Sequence, residues 1–157
     1  MPEPPVFERR FGEYHLSTDR SRLDVSAIHA YLSQESYWSQ GIPFEIVARA
    51  INNSLCFGVY EGRTQVGFAR VISDFATFAY LCDVFIQEPY RGQGLGKWLV
   101  ACIMEHPALQ GLRSYMLMTR DAHSLYSRYG FAPYPHPERF MAKTNPDIYR
   151  TSRTRST

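Results

Sequence analysis

The chain has 157 residues, enough for one compact domain with its own core. Its 45% hydrophobic and 20% charged content is that of a globular protein. The formal net charge of +2 argues against nucleic acid or an anionic membrane as the main partner.

Residues 1–12 are Pro-rich and read as irregular at first, with no strand assigned to them, and Glu13–Thr18 reads as a short strand. The N-terminus lacks the positive start and apolar run of a signal peptide, and no stretch approaches the roughly 20 apolar residues of a membrane span. A cytoplasmic location is expected by default. Asp24 is placed to cap a helix running to about Ser36, with Val25, Ile28, Tyr31 and Leu32 on one side. Gly41-Ile42-Pro43 interrupts the chain. Pro43 suits the start of a second helix whose apolar stripe is Ile46, Val47, Ala50 and Ile51.

Asn52-Asn53 ends that helix. Strands are predicted at Leu55–Tyr60 and Gln65–Ile72, joined by a Gly62-containing hairpin loop. Phe78–Ile86 is nearly all apolar, as in a strand covered on both faces. A loop from Gln87 to Gly96 leads into a helix with Leu95, Trp98, Leu99, Cys102 and Ile103 at helical spacing, stopped by Pro107. Tyr115–Met118 reads as a strand. Asp121 is placed to cap a short helix, Ala122–Tyr129, closed by Gly130. Phe140–Lys143 reads as a last strand, and the basic segment 150–157 as a solvated, mobile tail after a domain spanning 1–149. Cys56, Cys82 and Cys102 form no CxxC pair and read as reduced core residues, not disulfides or metal ligands. This order of elements predicts an α/β fold: one mixed sheet flanked by helices.

The strongest local signal is Arg91-Gly92-Gln93-Gly94-Leu95-Gly96-Lys97, between a buried strand and an amphipathic helix. Glycines uncover backbone N–H groups, and a helix start leaves N–H groups unpaired with a partial positive charge. The combination suits a phosphate or pyrophosphate, with Arg91 and Lys97 adding charge. The Walker pattern fails, because Trp98 follows Lys97 and Arg91 stands where its first Gly belongs. The dinucleotide fingerprint fails at Lys97.

Arg91, Gly94 and Gly96 instead form an Arg-x-x-Gly-x-Gly pattern that resembles the pyrophosphate loop of the GNAT acetyltransferases. A second stretch, Ala122 to Phe131, resembles that family's Ala-x-x-x-Tyr followed by Gly-Phe, on Ala122, Tyr126, Gly130 and Phe131. The resemblance covers roughly Phe57 to Phe131. It implies an N-acetyltransferase that passes acetyl from acetyl-CoA directly to an amine in a ternary complex, on a sheet opened between two parallel strands. It implies that Arg91 to Lys97 (Gly92, Gln93, Gly94, Leu95 and Gly96 between them) hold the pyrophosphate. Val84, Phe85 and Ile86 would align the thioester arm, and Tyr126 would be the general acid toward the leaving thiolate.

Two departures stand out. Thr119 occupies the position where many members carry an Asn, and Ser114 the position of a Glu base in some members. The base is therefore open among Asp83, Glu35, Asp74 and His123. By strand alternation Asp83 shares a side with Leu81 and Phe85, where a carboxylate is either a structural hydrogen-bonding group or the base. Tyr31, Tyr37, Trp38 and Phe44 fall in the region that faces the acceptor in this family. The acceptor is expected to be a small-molecule or peptide amine, with no metal, and a homodimer is one state that family members adopt. The competing reading is a non-catalytic acyl-CoA-binding sensor or interaction module on the same fold.

Overall fold

The computed structural model describes residues 3–150; the tail expected at 150–157 lies, except for Arg150, outside the described residues. Six strands form one sheet in the order β1 (Glu8–Phe11), β2 (Tyr14–Ser17), β3 (Leu55–Glu61), β4 (Thr64–Ser73), β5 (Phe78–Ile86) and β6 (Ser114–Leu117). All neighbours are antiparallel except β5 and β6, which are parallel. The mixed α/β sheet expected from the sequence is therefore present.

Helices α1 (Val25–Ala30) and α2 (Phe44–Asn52) cover one face, and α3 (Leu95–Glu105) with the short α4 (His123–Ser127) covers the other. Asp24 caps α1 as expected, its Oδ1 accepting from Ala27 N at 3.0 Å. The helix continues as a wide turn over Tyr31–Glu35, in which Ser36 N donates to Tyr31 O. On α3, the apolar stripe buries Leu99 and Ile103 completely against the sheet. Burial of this kind stabilises by about 1.5–3 kcal/mol per side chain.

Three expectations need correction. Residues 8–11 are not irregular: they form β1, paired with β2 through a tight turn at Gly12, and the prolines stop short of it. Phe140–Lys143 forms no strand; Phe140 and Met141 are exposed and no neighbouring strand reaches them. Asp121 does not cap α4: the Ala122 amide donates instead to Thr119 Oγ1 at 2.9 Å. The three cysteines are free, with Cys56 and Cys102 buried and Cys82 half-buried.

A bulge in β5 determines what the sheet presents to ligands. Phe68 pairs with Phe85 and Arg70 with Cys82, so Ala69 faces two residues, Asp83 and Val84. Asp83 takes up the extra length at φ +54, a left-handed conformation that Asp tolerates better than most residues. The bulge breaks the expected alternation. Leu81 lies in the core beneath α3, whereas Phe85 lies in the core beneath α1 and α2.

Candidate active site

The sheet opens where β5 and β6 part. Their pairing ends at Leu81–Leu117, while β5 continues to Ile86. Parallel strands that separate leave backbone groups without partners, and here the gap forms a cleft of 510 Å³. Its lining includes Tyr37, Trp38, Asp83, Val84, Thr119 and Tyr126.

Beyond the end of β5 lies the mouth of α3. Gly92 and Gly94 adopt φ of +83 and +86, which an L side chain resists. A Cβ built at Gly92, Gly94 or Gly96 meets nothing within 4 Å. Arg91 N donates to Glu88 O and Trp98 N to Gly94 O; the six amides between them, Gly92 to Lys97, have no acceptor among the described residues. Six unpaired N–H groups at a helix start, with no side chains screening the glycines, fit a diphosphate. Lys97 is exposed in the first turn. Gln93 braces the loop by donating to Tyr14 Oη and Tyr90 O. Leu95 is buried and anchors the helix start in the core.

Arg91 sits differently from the expectation of a direct phosphate contact. Its Nε donates to Ile86 O at 2.8 Å and its guanidinium to Tyr31 Oη at 2.9 Å. Tyr31 in turn stacks on Phe85, with centroids 3.8 Å apart. Arg91 thus ties the glycine loop to the end of β5 and to the wide turn after α1.

Val84 is half-buried and lines the cleft, while Phe85 and Ile86 pair with β4. Tyr126 is 8% exposed on α4, and burial pushes its phenol up to about 12, with Tyr37 adding a smaller effect. The group therefore stays protonated and able to donate a hydrogen bond throughout the neutral range. Thr119 holds the start of α4 through the bond to Ala122 N, which fixes the helix that carries Tyr126.

Asp83 carries the most constrained carboxylate of the cleft. Oδ2 accepts from Arg70 Nε at 2.8 Å and Oδ1 from Trp38 Nε1 at 2.9 Å. The other base candidates are less well placed. Glu35 and His123 are exposed, His123 on the far side of Tyr126. Asp74 is folded into the β4–β5 turn, accepting from the Thr77 hydroxyl and from the amides of Thr77, Ala76 and Phe78, which together hold its carboxyl well below the usual range.

Of the four aromatic residues expected to face the acceptor, Tyr37 and Trp38 line the cleft. Tyr37 Oη accepts from Arg120 N at 3.3 Å, and the Arg120 guanidinium lies over its ring at 3.8 Å. Tyr31 is buried under Arg91, and Phe44 packs on His29. Arg70 escaped the sequence reading, although a single cation within the apolar run Val66–Ile72 was the available signal. Among the described residues no three His, Cys, Asp or Glu side chains gather as a metal site, and no helix is long and apolar enough to cross a membrane.

A mixed sheet parted between its two parallel strands, with a bare glycine loop at the adjoining helix start, is the arrangement of one fold family. Residues 52–133 match the family model described as an acetyltransferase (GNAT) domain, and the chain belongs to this family. A Gibberella zeae protein provisionally named an acetyltransferase is 37% identical, across 74% of this chain and 77% of its own. A solved structure from Xanthomonas campestris pv. campestris, provisionally assigned to GNAT acetyltransferases, is 52% identical with a TM-score of 0.85, covering 87% of this chain and 96% of that one. A Clostridium acetobutylicum protein, assigned as an acetyltransferase and solved with acetyl-CoA, shares the fold at 14% identity, with a TM-score of 0.60, 88% of this chain and 96% of that one. The family uses acetyl-CoA as the acetyl donor.

Proposed function

We propose that the protein transfers the acetyl group of acetyl-CoA to a primary amine by direct attack within a ternary complex. The observation that carries this reading is the run of six unpaired amides, Gly92 to Lys97, opening beside the β5–β6 cleft. Acetyl-CoA supplies a thioester that an unprotonated amine attacks, with departure of the thiolate.

The Gly92–Lys97 amides hold the diphosphate, with Lys97 adding charge from the first turn. Beyond Leu81 the edge of β5 facing β6 has no strand partner among the described residues. The backbone at Val84, Phe85 and Ile86 is therefore assigned to alignment of the thioester arm. One N–H aimed at the developing oxyanion contributes about 3 kcal/mol to the barrier reduction.

Tyr126 donates to the departing thiolate. Ordinary thiols titrate near 8.5, below a phenol held at about 12. Complete proton transfer is thus uphill until the thiolate, also withdrawn from water, becomes more basic. Asp83 receives the amine: each of its oxygens accepts one donor and retains capacity for a second. Its carboxylate can pair with the incoming ammonium or take its proton through water. Tyr37 and Trp38 wall the acceptor side, an arrangement that suits an amine on a small molecule or a peptide end.

The test is release of free CoA thiol from acetyl-CoA across a panel of small-molecule and peptide amines. Acceptor-dependent release supports the reading. Tight acetyl-CoA binding with no thiol release from any amine would favour a sensor instead.

A further inference from the structure

Asp83 borders two spaces at once. One is the β5–β6 cleft; the other is a cavity of 130 Å³ between α1, α2 and the sheet. Among the described residues Asp83 alone lines both. Its two partners divide between them. Arg70, on Oδ2, lines the cavity but not the cleft, and Trp38, on Oδ1, lines the cleft but not the cavity.

The rest of the cavity is apolar. Ile28, Val47, Ile51 and Phe68 line it and are at most 2% exposed. Ile46, Ala50 and Tyr149, half-buried, border it toward the surface. Protein interiors leave few voids larger than a water molecule. A space walled by Ile, Val and Phe is a poor place for water, and an apolar cavity of about 150 Å³ takes up benzene. The cavity therefore has room for a hydrocarbon group of about four to six carbons, and it ends on the carboxylate assigned to the amine.

We propose that this cavity is the tail pocket of the acceptor, which is an aliphatic primary amine of about four to six carbons with its nitrogen on Asp83 and its chain between α1 and α2. The assignment rests on the acetyl transfer proposed above and narrows its acceptor. The N–C bond forms as the C–S bond breaks. Asp83 takes one proton from the ammonium, Tyr126 gives one to the thiolate, and the second amine proton replaces the one Tyr126 gives. Arg70 is tied to Asp83 and to Ser54 Oγ, so the inner wall offers nothing to a second charge on the tail. A diamine of the same length would strand its far ammonium among Ile, Val and Phe and is rejected.

The test measures thiol release by the full chain with ethylamine, pentylamine, octylamine and cadaverine. At about 0.8 kcal/mol per buried methylene, kcat/KM is expected to rise roughly fourfold per carbon, about 60-fold from ethylamine to pentylamine. Octylamine overfills the cavity and should gain nothing over pentylamine, and cadaverine should fall to the level of ethylamine or below. Ala50→Leu places its added carbons in the cavity, so the ratio of pentylamine to ethylamine should drop toward one. A second measurement needs no turnover: millimolar pentylamine should raise the melting temperature of the unaltered chain and not that of Ala50→Leu. Thiol release that is equal across the amines, or a ratio that survives Ala50→Leu, would overturn the tail pocket and leave acetyl transfer standing. A melting temperature raised by pentylamine, with no thiol release from any amine, would keep the apolar ammonium site and sink the transfer reading. Neither a shift nor release would overturn both.

Discussion

Arg70 donates through Nε to Asp83 Oδ2 at 2.8 Å, across the bulge at which β5 abandons regular pairing with β4. The side chains retain only 16% and 10% of their exposure, so the two charges are largely withdrawn from water. Removing one partner of such a pair leaves the other buried and uncompensated. Arg70→Met is therefore expected to cost about 3 kcal/mol of stability. An unchanged midpoint in urea denaturation would mean that the bulge does not depend on the pair.

Tyr126→Phe removes the hydroxyl and keeps the ring that packs on Phe131. A positioned proton donor contributes roughly 10²–10⁴-fold to rate. The variant should lose at least about 10²-fold in kcat, with acetyl-CoA affinity largely retained. Equal turnover would remove Tyr126 from the mechanism.

Gly96 separates binding from stability. Its backbone is ordinary helix, and an added Cβ meets nothing within the protein. Gly96→Ala should raise stability by up to about 1 kcal/mol through helix propensity. The same methyl stands over the amides assigned to the diphosphate, so acetyl-CoA affinity should fall. Calorimetry of unfolding and of binding would expose the opposite signs. A fall in both would instead point to a disturbed helix.

His106 gives the fold a pH dependence. It is 2% exposed, wedged against Phe7 and Phe57, and its Nδ1 accepts from Ala108 N. Burial, aided by Arg9, holds its imidazole below the ordinary value of 6.5. The unfolded chain therefore binds a proton first as pH falls, and the stability that His106 contributes is lost below about 6.5. The slope from this one group is at most about 1.4 kcal/mol per pH unit. Melting temperatures between pH 7 and pH 5 should fall more steeply for the full chain than for His106→Gln. Parallel slopes would assign the effect to other groups.

Much of this was legible in the sequence for physical reasons. The glycine loop and α3 are local: the conformations of Gly92 and Gly94 and the spacing from Leu95 to Ile103 belong to one continuous stretch. The bulge was hidden because it is a relation between strands, and nothing within Phe78–Ile86 announces that Ala69 will face both Asp83 and Val84. The Arg70–Asp83 pair and the turn of Arg91 onto Tyr31 were hidden for the same reason, being tertiary contacts across 13 and 60 residues. β1 was masked by the prolines before it, although the pairing of residues 8–11 begins after the last of them. At Phe140–Lys143 the strand pattern is present, but the segment lies on the surface without pairing to any strand of the sheet.

The most direct test is a crystal structure of the protein with coenzyme A. The diphosphate oxygens are expected to lie about 2.9 Å from amides within Gly92–Lys97, with the pantetheine arm entering between β5 and β6 toward Tyr126. A diphosphate bound elsewhere on the surface, with those amides facing solvent, would contradict the account.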